Sequence, residues 1–512
     1  MLPTHSYMPI AKDSSPDTRH PTYQLTLRAE IAVALATWSA VDLHLTHRQA
    51  RREITRCRKM NESRDETHLH TTETSKCGKL SGAFASLQSL ANFTKRYVHQ
   101  NQMLRHSALL FTGYLIAHML NTLYQMVVSR TLAPAEYALL AAFVGALLIV
   151  QYPLMTLTTA LSRFSSLLTA SGHAGDVRRL LSRWLCRSAL AGFVLTSLGL
   201  LFRHEITTWL HIDRPGPVIV AVLSVPAFLM LPIVLGVSQG IQRFGWNAGT
   251  TVAGSIARLL VGSLLVCFLY PTSGWGLLGH GLGTWINALT LALGLYWIFQ
   301  SRPTTTKPLP HLRFFLLQSG LAQLAYATLM TADVILVKHF IPQEESFAYA
   351  ATLGRLTVFM SSTIVIAMFP KVTTSGRITA KQFEIFKQSL LYTAICVALA
   401  IAGCALFPRL LLRVLFGMPS PSPTLQAMTI AMAVIMGFSA LLNTCLQFLV
   451  AQKRFLPTYW VLCAAMGYLI ASAVWHNSTW NILAWTALAN IFSLLVLLPA
   501  CWKTKPDQHN IS

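Results

Sequence analysis

The chain has 512 residues, of which 53% are hydrophobic and 11% are charged, and its mean hydropathy is +0.50. Soluble domains carry about a quarter charged residues, so this composition excludes an ordinary soluble protein and indicates a membrane protein with many spans. The formal net charge is +22. We assign these cations to loops beside anionic lipid headgroups and expect membrane lipids, not nucleic acid, as their partners.

The N-terminal region, residues 1–105, is polar. It holds 15 Lys and Arg and 9 Asp and Glu, and it lacks an apolar run long enough to span a membrane. We predict a disordered cytoplasmic extension here. Met60 and Met103 offer alternative starts, so the sequence leaves open whether this region is translated in the cell.

The rest of the chain reads as an all-α integral membrane protein with twelve transmembrane helices. Each span needs roughly 20 apolar residues. The predicted spans are 107–129, 138–162, 184–202, 217–239, 249–270, 276–299, 314–340, 349–370, 386–408, 424–450, 456–475 and 480–501.

An internal duplication divides these spans into six plus six. A shift of 208 residues places "TADVILVKHFIP" (331–342) on "LYQMVVSRTLAP" (123–134), and it places Lys371 on Arg163. An even number of spans gives both halves the same orientation, related by an axis along the membrane normal. We therefore predict a first six-helix lobe, a cytoplasmic linker, a second lobe and a cytoplasmic tail, at 106–300, 301–313, 314–502 and 503–512.

Lys and Arg are distributed unequally between the two sets of loops. With the N-terminus inside, the inner loops and the tail hold 17 of these residues and the outer loops hold six. Because cytoplasmic loops are enriched in Lys and Arg, this bias predicts that both termini lie inside. Arg163 and Lys371 are repeat-related cations at the cytoplasmic ends of their spans, where long side chains reach the headgroups.

Three charged residues lie away from the ends of the predicted spans. Asp333 and Arg355 sit at about the same depth in neighbouring spans, so they are either ion-pair partners or neighbours in one aqueous cavity. Arg258 lies near the membrane midplane without an acid nearby in sequence, and we favour a water-filled cavity around it. Asn121 and Gln125 are candidates to line the same cavity, or they join helices by hydrogen bonds.

Several motifs are absent from the sequence. It contains no C-x-x-C, no G-x-x-x-x-G-K-[ST] and no H-E-x-x-H, so we expect no metal site, no cofactor and no ATP-driven pump. Few polar groups are placed for catalysis, and we expect the protein not to be an enzyme.

Three stretches carry a resemblance to a known family. They are "MLNTLYQMVVSRTLAPAEYALLAAFVGAL", "LGVSQGIQRFGWNAG" and "ADVILVKHFIPQEESFAYAATLGRLTVFMSSTIVIAMFPKV". In order and spacing they resemble the polysaccharide-biosynthesis flippases of the multidrug/oligosaccharidyl-lipid/polysaccharide exporter superfamily. The resemblance covers about residues 106–502 and implies a MATE-like V-shaped bundle of two six-helix lobes with a central cavity.

The resemblance also implies a function. The cargo is then an undecaprenyl-diphosphate-linked oligosaccharide, moved across the cell inner membrane for surface polysaccharide synthesis. Polysaccharide polymerases and glycosyltransferases are then expected partners. Arg258, Arg355 and Arg130 suit the diphosphate, and Asp333 is the candidate ion-coupling group.

The alternative within the superfamily is an ion-coupled multidrug or metabolite antiporter. Acids in the cavity would favour that alternative, because its cargoes are mostly cationic, whereas the spans here hold more cations than acids.

Overall fold

The regular structure of the described chain is helical. A computed structural model describes residues 102–171, 174–298, 313–372 and 379–503. Within these ranges the elements are α-helices and one π-helical turn, without a strand among them. The all-α class is therefore confirmed. The predictions for residues 1–101, 301–312 and 504–512 lie outside the described residues.

Each predicted span corresponds to a helical segment, and we number the segments in chain order. They are α1 Gln102–Thr131, α2 Pro134–Ala170, α3 Ala174–Leu201, α4 Gly216–Gly240, α5 Phe244–Phe268, α6 Ser273–Ile298, α7 Arg313–Phe340, α8 Phe347–Val372, α9 Ala380–Leu406, α10 Pro423–Ala451, α11 Thr458–Val474 and α12 Thr479–Trp502.

The described helices have the length and composition of a multi-pass membrane protein. Ten of them are long and apolar enough to cross a bilayer, and Thr458–Val474 is a shorter apolar helix. Large apolar side chains such as Phe193, Leu293 and Leu399 are each more than 60% exposed on the helix surfaces. Such surfaces are expected where lipid replaces water as the solvent.

Some helices run beyond the predicted spans. Helix α2 continues to Ala170, and α3 begins at Ala174, ten residues before the predicted start. The apolar run defines the part inside the bilayer, but Arg, Ser and Leu all continue a helix at little cost. Arg163 consequently lies inside α2, about two turns before its end, and its side chain is exposed.

The packing of the two halves repeats. In the first half α2 packs on α3 and α4, α4 packs on α3 and α6, and α5 packs on α6. In the second half α8 packs on α9 and α10, α10 packs on α9 and α12, and α11 packs on α12. Each contact has its counterpart six helices later, so the duplication seen in the sequence is also a duplication of tertiary structure.

Two short helices complete this repeat. Arg203–Trp209 follows α3, and Pro408–Phe416 follows α9. In the predicted spans both stretches fall at span ends and in connections, because seven or nine residues with charges cannot form an apolar run of spanning length.

The two lobes meet along α2 and α7. A Cβ added to Gly145 of α2 would lie 3.2 Å from the Thr331 carbonyl of α7, so the two backbones approach closely. Helix α8 also contacts α2, and the Tyr137 hydroxyl donates a hydrogen bond to Thr352 Oγ1 at 3.0 Å. The larger apolar core extends across this seam, with Tyr137 and Phe347 among its buried side chains.

Candidate functional site

Arg258 lies at an interruption of helix α5. Residues Arg258–Gly262 form a π-helical turn between two α-helical stretches. The half-buried guanidinium donates from Nη1 to Asn121 Oδ1 on α1 at 3.0 Å and from Nη2 to Thr284 Oγ1 on α6 at 3.2 Å. Its Nε is buried without a hydrogen-bond partner. Three helices of the first lobe therefore converge on one cation.

Glycines bring α5 and α6 together around this arginine. A Cβ on Gly254 would lie 2.6 Å from the Gly283 carbonyl oxygen, and a Cβ on Gly279 would lie 2.2 Å from the Cα of Gly262. A Cβ on Gly283 would lie 2.8 Å from the Cβ of Arg258. Only glycine permits such backbone contact. The contact holds Thr284, the next residue on α6, within reach of the guanidinium.

Among the described residues, no acid forms an ion pair with Arg258. Its two acceptors are neutral, and none of the ion pairs in the described ranges includes it. An unpaired cation at this depth costs at least about 2.5–3.5 kcal/mol on insertion scales. The guanidinium retains an unused buried donor and a planar fork that matches phosphate or carboxylate oxygens. The arrangement is therefore suited to holding an anion.

Sequence reasoning missed two polar residues of α6. Thr284 binds Arg258, and His280 lies one turn earlier, buried and stacked on Phe228 of α4 with ring centroids 5.7 Å apart. The His280 Nδ1 is buried without a hydrogen-bond partner. The stretch "GHGLGT" in an otherwise apolar span is the signal that would have found them.

Asp333 and Arg355 form the second charged cluster. The Arg355 Nη2 donates to Asp333 Oδ1 across α7 and α8, and its Nε donates to the Met330 carbonyl at 3.0 Å. Asp333 is fully buried, and its Oδ2 has no hydrogen-bond partner. Of the two alternatives left open by the sequence, the structure shows direct pairing.

Gln125 belongs to a different contact from Asn121. The Tyr137 hydroxyl lies 3.5 Å from Gln125 Oε1 and also donates to Thr352, which joins α1, α2 and α8. Of the two amide side chains predicted to line a cavity with Arg258, the structure brings only Asn121 to the guanidinium.

Arg130 lies at the end of α1, away from Arg258. Its exposed guanidinium donates from Nη2 to the Val414 carbonyl in the last turn of Pro408–Phe416. Helix C-termini carry unpaired carbonyls and partial negative charge, so a cation is favourable there. Arg130 is nine residues beyond Asn121, about 14 Å along the helix axis. The structure thus does not place it with Arg258; it bridges the two lobes.

A second bridge between the lobes lies at the corresponding end of α7. His339, at the end of α7, stacks on Trp209 of the first lobe with ring centroids 4.0 Å apart, and its Nδ1 lies 2.6 Å from the Trp209 carbonyl oxygen. Each lobe's first helix thus ends against the short helix of the other lobe. These two contacts, which we call the short-helix contacts, join the two lobes at the ends of α1 and α7.

Lys371 is the penultimate residue of α8, and its side chain lies outside the described residues. Among the described residues no group of three or more His, Cys, Asp or Glu side chains could hold a metal ion.

No protein-family model and no curated protein matches this sequence. In structure the chain is similar to an inward-facing MATE family multidrug-resistance transporter of the MOP superfamily, at 13% identity over 78% of this chain and 99% of that one, with TM-score 0.58. It is also similar to the lipid II flippase MurJ in an inward closed conformation, at 14% identity over 76% and 87%, with TM-score 0.58. A MOP superfamily transporter from Pyrococcus furiosus aligns at 14% identity over 78% and 96%, with TM-score 0.53. The chain therefore has a MATE-like helical fold.

Proposed function

We propose that this chain is a flippase for lipid-linked oligosaccharides. It moves undecaprenyl-diphosphate-linked glycan units across the cytoplasmic membrane by alternating access, for the synthesis of surface polysaccharide. The single observation that carries the proposal is the half-buried Arg258 guanidinium, whose described partners, Asn121 and Thr284, are both neutral. Its charge remains available to an anionic cargo.

The chemistry of such a cargo fits this environment. A diphosphate presents several anionic oxygens, and Arg binds such groups through two parallel hydrogen bonds. Asn121 and Thr284 hold the guanidinium in place, so little side-chain entropy is lost when the anion arrives. Transport in this form requires no covalent step, only two conformations that the cargo and an ion gradient bias.

The short-helix contacts support an alternating mechanism. They lie on the outer side in the predicted topology and consist of a few polar and aromatic interactions, Arg130 with Val414 and His339 with Trp209. Opening of this side would separate these contacts together with the packing of Tyr137 on Phe416, whose ring centroids are 6.2 Å apart. The MATE transporters of similar fold are seen both inward-facing and outward-facing.

Asp333 is the proposed ion-coupling group. One carboxylate oxygen accepts from Arg355, while Oδ2 is buried and has no hydrogen-bond partner. An unpaired buried oxygen is costly unless it binds a proton or a cation at some stage.

We also propose where the protein lies in the cell and which enzymes work with it. Both termini lie on the cytoplasmic side of the inner membrane, and polymerases or glycosyltransferases of the same glycan work beside the carrier. The charge bias of the loops supports this orientation.

The second candidate is an ion-coupled multidrug or metabolite antiporter. The free Asp333 Oδ2 favours it, since a buried carboxylate oxygen also suits a cationic cargo. The neighbours in fold include transporters described as multidrug-resistance proteins.

A reconstitution experiment tests the proposal. The full chain in proteoliposomes is supplied with an undecaprenyl-diphosphate-linked oligosaccharide, and an added glycosidase measures the fraction that reaches the opposite leaflet. We expect transport by the natural sequence, partial transport by Arg258→Lys and a loss of about tenfold or more in Arg258→Ala. Transport of a cationic dye with no movement of the oligosaccharide would favour the antiporter.

A further inference from the structure

The short helix Pro408–Phe416 presents a surface that the transport proposal does not use. Its inner face packs on the second lobe: Leu412 and Phe416 are buried, and the Phe416 ring lies 5.1 Å from that of Tyr349. Helix α9 ends at Leu406 and α10 begins at Pro423. The short helix therefore lies level with the ends of two spanning helices, at one surface of the membrane.

Two stripes run along the outer face of this helix. Leu410 and Val414 are four residues apart, and they are 55% and 48% exposed. Arg409 and Arg413 are also four residues apart, are exposed, and lie directly beside the first stripe. A helix with an apolar stripe next to a basic one is typical of segments that lie in the headgroup region of a bilayer.

We propose that this helix is an interfacial helix that binds the phosphate groups of anionic membrane lipids through Arg409 and Arg413. Leu410 and Val414 then contact the lipid acyl chains just below the headgroups and are no longer exposed to water. The Arg409 Nε donates to Gln426 of α10 at 3.2 Å, which orients its guanidinium at the helix surface.

The chemistry favours a lipid phosphate over a soluble anion. A free phosphate would use the arginines but leave the apolar stripe in water, whereas a lipid satisfies both at once. The counterpart in the first lobe is different, because Arg203–Trp209 carries Arg203 and Glu205 and is therefore less basic. The proposal does not depend on the identity of the cargo.

The test measures which lipid lies against the helix. The full chain is reconstituted in vesicles of equal phosphatidylglycerol and phosphatidylcholine, with the photo-cross-linking residue p-benzoylphenylalanine in place of Val414. We expect capture of lipid, with phosphatidylglycerol enriched about fivefold or more over phosphatidylcholine. The same residue in place of Leu399, which is 68% exposed on α9, serves as the control and should capture both lipids equally.

Variants decide which groups are responsible. In Arg409→Gln/Arg413→Gln, lipid capture at position 414 should continue, but the captured lipids should have the same ratio of phosphatidylglycerol to phosphatidylcholine as the vesicle. The control is Arg214→Gln, which removes one exposed cation from a loop on the same side and should leave the enrichment unchanged. Absence of lipid capture at position 414 would overturn the proposal. An unchanged enrichment in the double variant would also overturn it. Complete loss of the enrichment when inorganic phosphate is added to the protein with both arginines would overturn it as well, because that result identifies a site for soluble anions.

Discussion

The Arg355 guanidinium donates to the Asp333 carboxylate, and this buried pair joins α7 to α8 in the second lobe. The first lobe has no equivalent pair, because the repeat places Gln125 at the position of Asp333. The two lobes share a packing pattern but hold different charges: an uncompensated cation in the first and an ion pair in the second.

The Asp333–Arg355 pair leads to a prediction about stability. Asp333→Asn or Arg355→Gln alone leaves a buried charge without its partner, and each should lower the free energy of unfolding by about 3–5 kcal/mol. The double variant removes both charges and should recover most of that loss. Thermal unfolding of the purified protein measures this, and equal losses in the single and double variants would contradict it. A stable double variant that no longer transports would assign Asp333 a role beyond pairing.

Asn121→Asp tests whether the free charge of Arg258 is used. The aspartate keeps the size of the asparagine and adds a carboxylate at a position 3.0 Å from Arg258 Nη1. We expect an ion pair that leaves thermal stability unchanged or raised but lowers oligosaccharide transport by about tenfold, because the cation no longer attracts an anion. The control is Gln125→Glu, which adds the same charge one turn away and should have a smaller effect. Full transport by Asn121→Asp would argue against Arg258 as an anion site.

The glycine contact between α5 and α6 predicts a difference between two similar substitutions. Gly254→Ala places a Cβ 2.6 Å from the Gly283 carbonyl oxygen, so α6 must move and carry Thr284 away from Arg258. We expect a loss of about 1–3 kcal/mol in stability. Gly249→Ala, on the same helix, meets no atom within 4 Å and should be neutral or slightly stabilising. Calorimetry or thermal unfolding would show the contrast, and equal effects would disprove the close contact.

A reversible cross-link tests the short-helix contacts as a gate. A Cβ on Gly417 would lie 3.2 Å from Arg130 Cγ, so in Arg130→Cys/Gly417→Cys the sulfur that replaces this Cγ lies close enough to position 417 for a disulfide. Oxidation should stop transport, and reduction should restore it. In the described part of the chain the exposed cysteines are Cys186, Cys267 and Cys463, and the background replaces them by serine.

Gly417→Cys alone is the control for this cross-link. Gly417 has φ +72°, so its replacement costs roughly 1–2 kcal/mol in stability whether or not a bond forms. Transport that continues after complete cross-linking would show that this side of the bundle does not open during the cycle.

Reporter fusions test the predicted orientation. Fusions after Thr131 and Ser420 should report the outside, and fusions after Asn247 and Lys453 should report the cytoplasm. These positions fall in or near connections on opposite sides of the predicted topology. If one of the two outer fusions, or one of the two cytoplasmic fusions, reported the opposite side, the two halves would not have the same orientation in the membrane.

The sequence by itself determined the helical class, the twelve segments and the duplication. Length and continuity of apolar runs decide how many helices cross a bilayer, and a shift of 208 residues between the starts of the two halves identifies the repeat without any contact. It also placed Asp333 and Arg355 at one depth, because a helix rises by a fixed amount per residue. The predicted helix ends were less accurate, as at the start of α3 at Ala174, because hydropathy indicates which residues lie in the bilayer and not where the helix begins.

Only the tertiary structure decided which polar groups meet. Asn121 reaches Arg258 and Gln125 does not, although both lie on α1, because the close contact of α5 and α6 fixes where the guanidinium points. Arg130 caps a helix of the opposite lobe, 284 residues away in sequence. The apolar sequence of a span indicates how deep each residue lies in the membrane, but it does not indicate which helices pack on either side. Those neighbours depend on the shapes of all the packed helices together.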